Sequence, residues 1–97
     1  MTTNLKNFVV ENFAELDKYS KTIAKVHGKN HPELLEVREV FLKVQEKVQQ
    51  EATKEALAPE IRQLRKLTND YQVPADGCQA YQKTYQMLQA LNGVYQN

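Results

Sequence analysis

Apolar side chains recur along this chain in steps of three and four, in blocks set apart by a few prolines and glycines. Leu5, Phe8, Val9, Phe13, Leu16, Tyr19 and Ile23 make the first block, and their spacing puts them on one face of a helix. Thr2, Thr3 and Asn4 offer caps at its start, and Gly28 is placed to stop it. A second helix is expected to begin at Pro32, where the missing N–H would have no partner anyway. Asn30 or His31 precedes it, and Glu33 and Glu36 suit the positive end of its dipole. Its apolar seam runs Leu34, Val37, Phe41, Val44 and Val48. Continued further, the same seam reaches Glu51 and then Glu55, two carboxylates on the core side of a helix.

Pro59 must kink this second helix or begin a new one, because it cannot donate to the preceding turn. Leu57, Ile61, Leu64 and Thr68 carry the apolar face onward, with Tyr71 extending it. The run Gln72-Val73-Pro74-Ala75-Asp76-Gly77 reads as a loop, and Asp76 with Gln79 has the spacing of a capping box opening the last helix. That helix carries Cys78, Tyr81, Tyr85, Leu88, Leu91 and Tyr95 on one face. No strand pattern competes. The expected fold is all-α: an antiparallel bundle of three main helices, the second broken near Pro59, in a single domain over residues 1–97.

Composition narrows the function classes. The 97 residues hold 41% hydrophobic side chains, an ordinary globular share. The 13 basic and 12 acidic residues nearly cancel, which argues against a nucleic-acid surface. Cys78 is the single cysteine, so no intramolecular disulfide forms. No apolar run approaches the roughly 20 residues of a membrane span. Phe8-Val9-Val10, followed at once by Glu11, is too short for a signal-peptide core. A cytoplasmic protein is the expectation.

Three stretches carry a family resemblance: Ala24-Lys25-Val26-His27-Gly28, then HPELLEVREVF from His31 to Phe41, then IRQLRKLTNDYQVPADGCQAY from Ile61 to Tyr81. They resemble the hemerythrin-like domain of the iron–sulfur cluster repair (repair of iron centres) di-iron proteins, across most of residues 9–92. The resemblance implies a shortened hemerythrin-like bundle. It also implies a ligand set that this chain largely lacks. The first family histidine falls on Val9, and the next histidine and glutamate fall on Glu51 and Glu55. The stretch bringing the third histidine is missing before Leu57, and the final His-x-x-x-Glu pair would lie beyond Asn97. Of the family's ligands only Glu55 remains, with Glu51 as a substituted neighbour. Iron is expected only if the glutamates of two chains share a site.

Each candidate residue has a plainer reading. Glu51 and Glu55, with Lys54 between them, suit a solvated face, since charged side chains are rarely buried unpaired. His27 and His31 flank Gly28, so they do not share a helix face, and turn or cap roles are expected rather than zinc. Cys78, on the seam with Tyr81 and Tyr85, is expected to be a small buried residue with no histidine beside it. Arg62, Arg65 and Lys66 form a short solvated basic stripe, and the tyrosines belong to the core.

With no assembly of acid, base, nucleophile or metal in view, an enzyme is not expected. Losing a fourth helix would leave an apolar groove, to be covered by a second copy or a helical protein partner. The expected function is thus a non-catalytic interaction or structural protein without cofactor, partnering neither nucleic acid nor membrane. The alternative is an iron-linked repair-type protein with an altered metal site shared across a dimer.

Overall fold

The computed structural model describes residues 3–96. Over them the chain forms four α-helices: α1 Thr3–His27, α2 Glu33–Gln49, α3 Ala58–Leu67 and α4 Gln79–Gln96. A 3₁₀ turn, Lys54–Leu57, leads into α3, and no strand occurs among the described residues. Helix α1 packs antiparallel to both α2 and α4, while α3 lies against α2. No helix among the described residues is long and apolar enough to cross a membrane.

The helical faces follow the apolar spacing. Leu5, Phe13, Leu16 and Ile23 of α1 are buried against Leu34, Val37, Phe41 and Val44 of α2 and Tyr81, Tyr85, Leu88 and Leu91 of α4. Phe13 and Phe41 meet edge to face at 5.2 Å, a contact worth about 1 kcal/mol beyond the area it hides. Helix α1 stops at His27. Gly28 follows with its N–H bonded to the Ala24 carbonyl at 3.1 Å. Thr2, one of the caps expected for α1, lies outside the described residues. Pro32 already has helical angles (φ −59°, ψ −24°) but stands at the cap of α2, which begins at Glu33, one residue after the expected entry.

Two expectations need correcting. The bundle has four helices where three main ones were expected, and the second helix breaks well before Pro59. Helix α2 ends at Gln49, and Glu51 adopts the left-handed conformation at φ 58°. The Ala52 N–H then bonds the Lys47 carbonyl and the Glu51 N–H bonds that of Val48, each at 3.0 Å. This is a Schellman stop, here without the usual glycine. The chain restarts before Pro59, which sits in the first turn of α3, where a proline is tolerated. Because α3 and α4 complete the bundle, the seam residues from Leu34 to Val44 and from Tyr81 to Leu91 are buried within one chain. Those stretches therefore do not form the open groove expected from a lost helix.

Two half-buried cations pin the helices. Arg38 Nη1 on α2 donates to the Asp17 carbonyl (2.8 Å), Asp17 Oδ1 (2.6 Å) and Ser20 Oγ (2.8 Å) on α1. Lys47 Nζ on α2 donates to the Ala56 carbonyl (2.8 Å) and to Oε1 of buried Glu60 (2.7 Å), tying down the 3₁₀ turn and α3.

Candidate functional site

At the end of the bundle where α1 begins and α2 finishes lie the two residues singled out in the sequence. Glu51 and Glu55 are both exposed, and they do not share a helix: Glu51 occupies the left-handed stop of α2 and Glu55 the 3₁₀ turn. Their expected position on a continued core-side seam is therefore not realised. Solvation of both side chains agrees with the plainer reading. Among the described residues no group of three His, Cys, Asp or Glu side chains is placed to hold a metal ion. The donors of one chain do not fit a di-iron centre.

Glu51 does border a feature of this end. Val9, Val10, Val48 and Ala52 line a depression of about 490 Å³ between α1 and α2, with Lys6 and Glu51 beside them. Val10 is 84% exposed, the most open of the large apolar side chains on the described surface.

The opposite end holds a cluster that sequence reasoning dispersed. Helix α1 delivers His27 as its last residue, and the α1–α2 turn delivers His31. The α3–α4 connection delivers Asp76 and Cys78, and α4 delivers Tyr81. Cys78 is exposed rather than buried, because α4 begins only at Gln79 and the seam does not extend back to it. Its Sγ lies 3.2 Å from Nε2 of His27, so a histidine does stand beside it. Its carbonyl accepts from the Gln82 N–H at 3.0 Å, making Cys78 the residue that leads into α4. Asp76, expected as a cap, turns its carboxylate to His31 instead: Nε2 is 3.0 Å from both oxygens. On its other side His31 Nδ1 lies 3.3 Å from Oε1 of Glu33.

The rings of both histidines stand edge-on to Tyr81, at 5.2 Å for His27 and 5.8 Å for His31. Tyr81 is fully buried, and burial pushes its hydroxyl pKa up. The bond to Asp76 raises the His31 pKa above its ordinary 6.5, and the same bond holds Asp76 below 3.8. The α3–α4 connection is itself unusual. Asn69, Asp70 and Tyr71 all have positive φ, from 52° to 65°. The buried Thr68 hydroxyl anchors that turn, accepting from the Tyr71 N–H at 2.9 Å and donating to the Leu64 carbonyl at 2.8 Å. One signal for the cluster was available in the chain. In an antiparallel α1–α4 pair, the end of the first helix must meet the start of the last.

Comparison with models of known families finds no match, and neither the curated proteins nor the solved structures searched contain one.

Proposed function

We propose that this chain is a non-catalytic helical interaction protein, descended from a hemerythrin-like domain, that pairs with a second copy of itself through the start of α1 and the end of α2. The observation supporting this reading is the apolar depression of Val9, Val10, Val48 and Ala52, with Val10 almost fully exposed on its edge. Lys6 and Glu51 border the same patch with opposite charges. A two-fold arrangement in which Lys6 of one copy faces Glu51 of the other would form that ion pair twice. The net charge of +1 leaves little long-range repulsion between copies.

Sedimentation of the whole chain across a range of concentrations tests this. A dimer that dissociates on Val10→Asp, with unchanged helical circular dichroism, supports the reading. A monomer at every concentration overturns it.

The second reading, an iron-linked protein of the cluster-repair type, draws on the place of Glu51 beside that same patch. Pairing there would gather Glu51 and Glu55 from two chains, four carboxylates of the kind that hold hard cations. It predicts stoichiometric iron per dimer, lost in Glu55→Ala. Iron-free dimers would leave the first reading standing alone.

A further inference from the structure

Both ring nitrogens of His31 face carboxylates, Nε2 toward Asp76 at 3.0 Å and Nδ1 toward Glu33 at 3.3 Å. A neutral imidazole has one N–H and one lone pair. In that form, one of the two contacts would set a lone pair against a carboxylate oxygen. Only the doubly protonated ring donates to both. Asp76 belongs to the segment 73–78, which closes the connection from α3 to α4. Among the described residues, the side chains of this segment hydrogen-bond to the rest of the protein through Asp76 to His31 and Cys78 to His27. Beneath the segment, Val73, Pro74, Thr68, Glu33, Tyr81 and Tyr85 line a depression of about 280 Å³. The Tyr81 hydroxyl is buried there, next to that of Tyr85.

We propose that His31 is a proton-dependent latch that holds segment 73–78 against the α1–α2 turn and releases it as the pH rises. Four groups face the latch: Glu33 from α2, Asp76 from the connection, Tyr81 from α4, and His27 from α1 beside Asp76. The His31 pKa lies above 6.5 in the folded protein, so its contribution is complete below 6.5 and is lost as the pH climbs through the folded value. The Asp76 pKa lies below 3.8, so its contribution is complete above 3.8 and fails only under more acidic conditions. Tyr81, raised above its ordinary 10, keeps its proton throughout this range. The latch is therefore closed in mild acid and opens on the alkaline side of the His31 midpoint. Release uncovers Tyr81 and Tyr85 at the end of the bundle remote from Val10 and Glu51.

Proton NMR on the intact chain tests the latch in one titration. The ring protons of His31 give its midpoint, and amide protection factors report segment 73–78 alongside the helices. The expected result is a midpoint above 6.5. Protection of the segment should then fall by about ten-fold for each unit of that excess, as linkage requires. The amides of α1, α2 and α4 keep theirs. Asp76→Asn should bring the His31 midpoint down, and His31→Gln should leave the segment open at every pH. A midpoint at or below 6.5 overturns the proposal, and so does protection that ignores pH or a loss shared equally by the helices.

Discussion

His27 and Cys78 stand 51 positions apart in the chain, yet Nε2 of one lies 3.2 Å from Sγ of the other. The antiparallel packing of α1 on α4 brings the last residue of one helix to the first turn of the other. The carboxyl end of α1 carries partial negative charge and the amino end of α4 partial positive charge. The thiol is exposed, with the His27 ring in hydrogen-bond contact beside it.

Alkylation of Cys78 by iodoacetamide is accordingly expected to depend on that neighbour. At neutral pH, His27→Gln should slow the reaction by about ten-fold or more. Equal rates in the two proteins, each with native circular dichroism, would mean that the contact is idle.

Gly28 is required by contact. A Cβ at this position would run into the Ala24 carbonyl oxygen and would also touch the Leu35 side chain at 3.5 Å. Backbone cannot step aside as a side chain can. Gly28→Ala should cost about 1–3 kcal/mol in a urea melt. No loss would show that the end of α1 can rewind to make room.

Glu51 invites the opposite change. It holds φ 58° at the stop of α2, where a side chain costs about 1 kcal/mol that glycine avoids. Glu51→Gly should therefore raise the melting temperature by about 4–8 °C. A drop would mean that the carboxylate contributes something the left-handed geometry conceals.

Two lysines separate a buried pair from a surface one. Lys47→Met leaves the Glu60 carboxylate, in a residue 8% exposed, without its cation, and should cost about 2 kcal/mol. Lys83→Met removes an exposed pair with Glu15 at 3.3 Å and should cost under about 1 kcal/mol. Calorimetry on both variants compares them directly, and similar losses would refute the distinction.

The helical faces were legible because an apolar spacing of three and four has one common cause, burial on one side of a helix. The stop at Glu51 was hidden because the residue that usually marks it, glycine, is missing. A period read through that point carried α2 two turns too far. Glu51 and Glu55 thereby gained an inward-facing place that they do not hold. The same extension, in reverse, drew Cys78 into the seam of α4 and judged it buried. The histidine cluster escaped for another reason. His27, His31, Asp76 and Cys78 are brought together by helix packing, and no local pattern records a contact across 45 or 51 positions.

The packing of α4 on α1 has a kinetic side. The first and last helices share the broadest interface in the bundle, whereas α2 and α3 are neighbours in sequence as well as in space. Closing the α1–α4 contact brings together residues separated by most of the chain, so its entropy is spent before any of its contacts form. Docking of α4 should thus come late in folding and set its rate. In reverse, α4 should peel away first, baring Leu88 and Leu91 while α1 and α2 still hold together.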